Sequence, residues 1–356
     1  MTREVPEDEG PGAPAVPWPA RLPWQQDALL ELVGKRSRIP HALLIHGRAG
    51  IGKHAFALAI AQALLCEAPR PDGTACGECA GCRYAMAGQH PDLMRLERST
   101  FDEESGEQVM TETIAIDRVR ALIDFVQLTS HRQGAKVAVI APAERMNANA
   151  SNALLKTLEE PPAHTYILLV TDQPGRLPPT IVSRCSPMAA PFPPTAAARD
   201  WLMAQGVKAP AIVLAQAGGA PLAALRLADH AVQAERQVWL TALAAPFTLP
   251  VLQVASRIEA GGREDRRARL AISIDWLLYW TGDLARVIAG ASPLRNPDFD
   301  APLRTLAPRV APLSLFRYHH ALLLQRGQMA HPLIPRLVAE ALLIDYRALF
   351  NLPSPR

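Results

Sequence analysis

The chain has 356 residues, of which 49% are hydrophobic and 20% are charged, and its formal net charge is +3. This composition describes an ordinary globular protein with room for two or three domains of ~100–200 residues each. The small net charge does not by itself indicate nucleic-acid binding, and no apolar run reaches the ~18 residues needed to cross a membrane. Because the first residues lack the apolar core of a signal peptide, we expect a cytoplasmic protein with no membrane partner.

The N-terminal part of the chain changes character at about residue 20. Residues 1–20 contain five prolines and an acidic run, which predicts a disordered extension. The segment 24–33 has apolar residues at helical spacing and predicts a helix. A short apolar run at 42–45 follows, bounded by Pro40 and a glycine cluster, and this pattern is typical of a buried parallel strand that enters a turn.

The glycine cluster matches a phosphate-binding loop. Gly47, Gly52 and Lys53 fit the pattern G-x-x-x-x-G-K, and Gly50 helps the turn to close. Strong helix formers at 55–65 predict a helix that begins directly after the loop. The partial positive charge of its N-terminus would lie beneath a phosphate bound in the loop. The sequence therefore predicts that Gly47, Gly50, Gly52 and Lys53 form a nucleotide-loop fold, and the alternative is a chance glycine turn.

The groups that would bind Mg²⁺ are missing from this predicted loop. His54 stands where a hydroxyl should follow the lysine, and imidazole is a poor ligand for this hard ion. A second buried strand at 136–141 ends in Ala141 and Pro142, where an ATPase carries carboxylates. Glu144 follows, but we expect it to point elsewhere. Hydrolysis is therefore not expected, whereas ATP binding stays open.

Four of the five cysteines lie close together in the sequence. Cys76, Cys79 and Cys82 are spaced three residues apart, and Cys66 precedes them by ten positions. If the intervening loop folds back, the four thiols can hold one tetrahedral ion, which predicts a closed structural Zn²⁺ site. The alternatives are four unliganded thiols or a redox C-x-x-C pair, and a redox pair would not need the two additional cysteines.

The middle of the chain alternates strands and helices, which predicts an α/β domain with a parallel sheet. Further strands are expected at 93–96 and 165–171, helices at 116–126 and 152–162, and a polar surface loop at 99–112. Glu159 and Glu160 are interpreted as a solvated helix end, because adjacent helix positions diverge by ~100°. The chain from about 235 to its end is predicted to be helical, with an apolar stripe composed of Leu270, Ile274, Leu277, Thr281, Leu284 and Ile288.

Several of these motifs together resemble the clamp-loader branch of the AAA+ family. They are the loop 47–53, the four-cysteine insert, the segment Asn-Ala-Leu-Leu-Lys-Thr-Leu-Glu-Glu-Pro-Pro at 152–162, and Ser-Arg-Cys at 183–185. The resemblance implies an α/β AAA+ (RecA-like) parallel sheet with helices on both faces and a zinc module at 21–190. It further implies a small helical lid at 191–232 and a helical collar for oligomerisation at 233–356.

The resemblance also implies a role for Arg184. In this family, the serine-arginine-cysteine motif supplies an arginine finger that reaches the ATP of a neighbouring subunit, and a guanidinium suits this task because it stays charged and grips phosphate oxygens. An ordinary surface arginine is the alternative. Active relatives also carry a lid arginine where this chain has Leu222, so a third catalytic element is missing.

The function implied is that of a non-catalytic clamp-loader subunit. Its partners would be the gamma or tau and delta subunits of the DNA polymerase III holoenzyme, and the complex would act on the sliding clamp and primed DNA. An active AAA+ ATPase, such as the motor subunit of the same machine, is the rival. A zinc-dependent nucleic-acid-binding module is a third interpretation, and it predicts salt-sensitive DNA affinity.

Overall fold

In a computed structural model, the described residues are 18–97, 99–101, 108–110, 113–132, 134–329 and 334–350. Most of the predicted disordered extension therefore lies outside them. The chain divides into two compact units, Met1–Ala197 and Ala198–Arg356, which are described separately below. The boundaries expected for the lid and the collar stay predictions.

Five parallel strands form the sheet of the first unit, in the order β2-β5-β6-β1-β7. A separate antiparallel pair, β3 with β4, shows that the surface loop predicted at 99–112 was wrong in part, since this segment contains a hairpin. The strands are β1 Ala42–His46, β2 Leu93–Glu97, β3 Ser99–Phe101, β4 Gln108–Met110, β5 Lys136–Ala141, β6 Thr165–Thr171 and β7 Ser186–Ala189.

Helices cover both faces of this sheet. They are α1 Gln26–Val33, α2 Lys53–Leu65, α3 Ala80–Met86, α4 Ile116–Gln127, α5 Ala148–Glu159 and α6 Pro179–Val182. Helix α7, Thr195–Ala204, runs from the first unit into the second, where Ala198 and Leu202 are buried. On one face, Leu44 and Leu169 pack in a core shared with Leu122 of α4 and Leu154 of α5. Neighbouring strand residues point to the opposite face, where α2 contacts β1, β5 and β6. The predicted parallel sheet with helices on both faces is confirmed.

The described part of the second unit is helical, as predicted. Its helices are α8 Pro210–Gln216, α9 Pro221–Leu227, α10 His230–Ala244, α11 Val251–Ser256, α12 Arg263–Ile288, α13 Asp300–Leu306, α14 Pro312–Gly327 and α15 Pro335–Ala348. The predicted stripe of α12 is confirmed, since Leu270, Ile274 and Leu284 are buried in the main core of this unit. No single described helix is long and apolar enough to span a membrane, although α8 and α9 pass that test together as a bent pair.

Candidate functional site

The phosphate loop closes between β1 and α2 as the sequence predicts. Gly47, Gly50 and Gly52 have φ values of 151°, 81° and 93°, a region that side chains rarely adopt. A Cβ on Gly52 would lie 2.1 Å from Leu22 Cδ1 and 2.9 Å from Gln25 Nε2, so both side chains would have to move to accept one. The Gln25 side chain donates to the Gly52 carbonyl over 2.9 Å and fixes the loop from the N-terminal side.

The loop lysine is already engaged with a carboxylate of the same chain. Lys53 is only 5% exposed, and its ammonium forms an ion pair with Asp172. The same ammonium donates to the Arg48 carbonyl over 2.6 Å. Asp172 reaches this position because it directly follows β6, whose last residue, Thr171, pairs with His46 at the end of β1. The structure therefore places an internal anion beside the group that would hold phosphate.

The position after the lysine also faces a carboxylate rather than a metal-binding hydroxyl. His54 Nε2 lies 3.2 Å from Glu97 Oε1, and Glu97 pairs in register with Ala141 of β5. Burial raises the pKa of Glu97, but hydrogen bonding to His54 and the nearby charges of His54 and two arginines outweigh burial, so the net pKa is lowered. Glu97 is therefore held as an anion by its cationic neighbours.

Glu144 contacts the residue that follows β6, since its Oε1 accepts the backbone N–H of Asp172 over 3.3 Å. The expectation that its side chain points away from the metal position stays a prediction. The 3-10 turn Ala143–Arg145 brings it there by packing against β6. Its Oε2 atom is buried without a hydrogen-bond partner among the described residues. Glu144 thus contacts the backbone of Asp172, the residue that forms an ion pair with Lys53.

Arg184 lies just after the short helix α6, and all three of its guanidinium nitrogens have partners. Its Nε donates to Glu159 Oε1 over 2.5 Å, and its Nη2 forms an ion pair with the same oxygen. Its Nη1 donates to the Thr180 carbonyl over 3.0 Å. The arginine side chain is 33% exposed, so solvent reaches this group. Glu159 is therefore more than the solvated helix end that was expected, since it fixes the direction of Arg184.

The four predicted metal ligands converge on one point. The sulfur atoms of Cys66, Cys76, Cys79 and Cys82 all lie within 4.8 Å of one another. Individual Sγ–Sγ distances are 3.6 Å for Cys66 and Cys76 and 3.9 Å for Cys76 and Cys82. Metal–thiolate bonds of about 2.3 Å in a tetrahedron imply sulfur separations of roughly 3.8 Å. The donor set thus has the size that one thiolate-bound metal ion requires.

Backbone groups in the cluster favour thiolates. The amides of Glu78 and Cys79 donate to Cys76 Sγ over 3.4 and 3.3 Å, and these bonds lower the pKa of Cys76 to about 6. Burial raises the pKa of Cys82 and so favours the neutral thiol. A bound metal ion would offset this effect, because it takes the place of the thiol proton. Helix α3 approaches the end of α2 closely, since a Cβ on Gly81 would lie 2.6 Å from the Leu65 carbonyl oxygen. The cluster can hold a metal ion with no open coordination position.

Sequence reasoning did not connect Lys53 or Arg184 with its partner carboxylate. Asp172 was not predicted to face Lys53, although a signal existed, because residues that follow neighbouring parallel strands meet at the same sheet edge. Glu159 was recognised but assigned to solvent. Its partner Arg184 lies 25 positions later, and no local spacing connects the two residues.

Comparison with known proteins finds relatives among the subunits of DNA polymerase III. Residues 25–193 match the family described as DNA polymerase III, delta subunit. DNA polymerase III subunit delta' of Pseudomonas aeruginosa is 45% identical over 218 residues, 60% of this chain and 63% of that relative, so the match spans less than two thirds of it. Subunit delta' of Escherichia coli is 33% identical over 298 residues, 82% of this chain and 84% of that relative.

Among solved structures, a DNA polymerase III gamma subunit-related protein of Thermotoga maritima covers 91% of this chain and 99% of its own, with 18% identity and a TM-score of 0.45. The match to the Escherichia coli relative spans most of both sequences. On that match, the chain belongs to the delta' subunit family of bacterial DNA polymerase III.

Proposed function

We propose that this chain is a non-catalytic subunit of a cytoplasmic clamp loader. It would assemble with the gamma or tau and delta subunits of the DNA polymerase III holoenzyme and support ATP-dependent loading of the sliding clamp on primed DNA. Family membership supports the complex. The observation that carries the non-catalytic role is the ion pair between Lys53 and Asp172, at a loop that also lacks the metal-binding hydroxyl and acid.

Arg184 would contribute to catalysis at a neighbour's nucleotide. Its guanidinium is part-exposed and held in one direction by Glu159 and the Thr180 carbonyl. A guanidinium stays charged, grips phosphate oxygens in a planar fork and neutralises the charge that develops there. The contact with Glu159 is a part-exposed ion pair, worth ~0–1 kcal/mol, so a nucleotide can compete for the nitrogens.

The four-cysteine cluster would hold a structural Zn²⁺. Four thiolates leave no position for water or substrate, so the ion would stabilise the fold and perform no chemistry. This ion would fix the loop between Cys66 and Cys76 against the end of α2. A redox role is not favoured, since all four sulfur atoms face one centre rather than forming one exposed pair.

The rival function is an active motor ATPase of the same machine. Such a chain needs a lysine free to bind the β- and γ-phosphates and acids that hold Mg²⁺. Here Asp172 engages the lysine, His54 faces Glu97, and Leu222 occupies the position of the lid arginine. The site geometry therefore supports the non-catalytic role better.

The C-terminal helices offer a surface for assembly. Helix α14 buries Leu315, Tyr318 and Leu322 in its own unit. Its other face exposes apolar residues at helical spacing, with exposures of 52–62%. These residues, called the α14 stripe, are Leu313, Phe316, Leu323 and Leu324. Because exposed apolar stripes on soluble proteins mark interaction sites, this stripe supports a collar contact with other subunits.

Assembly tests this proposal. Replacing Phe316 and Leu323 by glutamate should abolish co-elution of the chain with purified gamma and delta subunits in gel filtration, because two charges would be buried in the contact. Leu294→Glu is the matched control, since Leu294 is 57% exposed in the same unit but lies outside α14. A wild-type chain that fails to co-elute with these subunits would contradict the proposed function.

A further inference from the structure

The phosphate loop contains a cation that is almost completely removed from water. The Lys53 side chain is 4% exposed, and burying an ammonium without a counter-ion costs several kcal/mol. The Arg48 carbonyl provides one dipole, at 2.6 Å. Asp172 provides the full negative charge. The loop is thus electrically satisfied without a ligand.

The end of the sheet fixes the backbone of Asp172, and its side chain, which is 41% exposed, meets Lys53 from the surface. Asp172 directly follows Thr171, which is fully buried and paired with His46. The Thr171 hydroxyl accepts the backbone N–H of Gln173 over 3.0 Å, which fixes the turn on the other side. The backbone N–H of Asp172 itself donates to Glu144. The backbone position of Asp172 is therefore fixed while β6 stays in the sheet, and from there its carboxylate contacts the Lys53 ammonium.

A polyphosphate in this loop would need the same ammonium. Its oxygens would then compete with the Asp172 carboxylate for the ammonium, and like charges in contact repel. The loop amides and the start of α2 attract phosphate, but the Asp172 carboxylate opposes them. The balance of these charges decides whether the loop binds anions.

We infer that Asp172 is the resident counter-ion of the phosphate loop and that it excludes polyphosphate from the intact chain. The inference deepens the proposed non-catalytic role and rests on it, because an active subunit would need this loop open. It assigns the selectivity of the loop to one carboxylate rather than to the glycines or the lysine. The loop itself remains shaped for a triphosphate.

Calorimetric titration of the full chain with inorganic triphosphate, without magnesium, tests this inference. Asp172→Asn should bind triphosphate at least about tenfold more tightly than the wild type, because a contacting like charge is removed. The double variant Asp172→Asn with Lys53→Met should lose that gain. Glu160→Gln, which removes an exposed carboxylate elsewhere, is the matched control and should bind as the wild type does.

Thermal unfolding gives a second measurement, since Asp172→Asn leaves Lys53 without its counter-ion and is expected to be less stable. Added triphosphate should raise the melting temperature of Asp172→Asn and leave that of the wild type unchanged. Equal triphosphate affinity for the two proteins, or a gain that survives Lys53→Met, would overturn the inference. These results involve no ATP hydrolysis and no partner subunit, so they are distinguishable from failure of the proposed function.

Discussion

Replacing Arg184 by alanine is expected to slow ATP hydrolysis at the neighbouring subunit's site by about 10³-fold, the lower end of the effect of arginine fingers in phosphoryl transfer. The substitution removes the charge that would stabilise the transition state, while the arginine's contacts in the isolated chain are only part-buried. Single-turnover hydrolysis by the assembled, DNA-bound loader measures this effect. The free energy of unfolding should change by less than about 1 kcal/mol.

Two further substitutions make the Arg184 result specific. Arg176→Ala removes an exposed arginine from the 3-10 turn Pro174–Arg176 in the same unit, and it should leave hydrolysis unchanged. Arg184→Lys keeps the charge but loses the planar fork, so it should restore little of the rate. If the loader assembled with Arg184→Ala hydrolysed ATP at the full DNA-stimulated rate, Arg184 would be an ordinary surface arginine.

Replacing Cys82 by serine is expected to release the metal and to destabilise the first unit by about 4 kcal/mol or more, because loss of a structural metal is among the most damaging single changes. Cys82 is fully buried, and its sulfur lies 3.9 Å from that of Cys76. Zinc content by elemental analysis and the free energy of unfolding in urea measure the two effects.

Cys185 provides the control for the Cys82 experiment. It is also buried, and burial raises the pKa of its thiol to about 11, but it is not part of the four-sulfur cluster. Cys185→Ser should therefore retain one zinc ion. A Cys82→Ser chain that kept its stability but lost salt-sensitive DNA binding would instead support the nucleic-acid-binding interpretation.

The elements that rest on local patterns could be predicted from the sequence. The apolar run of β6 and the repeat of α12 matched the structure because burial on the sheet and in the helical core follows from hydrophobic spacing alone. The cysteine cluster could also be predicted, since ligand spacing is a short-range property. Helix α5 begins four residues before its predicted start, because the Asn147 side chain caps the Ala150 amide over 2.8 Å.

Charge pairing across the fold could not be predicted in the same way. Asp172 is 119 positions from Lys53, and only the strand order places β6 beside β1. Strand β7 was missed because its exposed positions and Pro187 obscure the strand pattern, although it pairs in parallel with β1. These features depend on register and topology, which a single sequence specifies only through tertiary packing.

The central claim is that this chain carries a phosphate loop that performs no hydrolysis while Arg184 serves another subunit. Steady-state ATP hydrolysis by the purified chain alone, with saturating Mg²⁺, tests it most directly. We expect a rate equal to that of the Lys53→Ala variant, which lacks the loop ammonium. Magnesium-dependent turnover by the wild-type chain that disappears in Lys53→Ala would contradict the claim and establish the chain as a motor subunit.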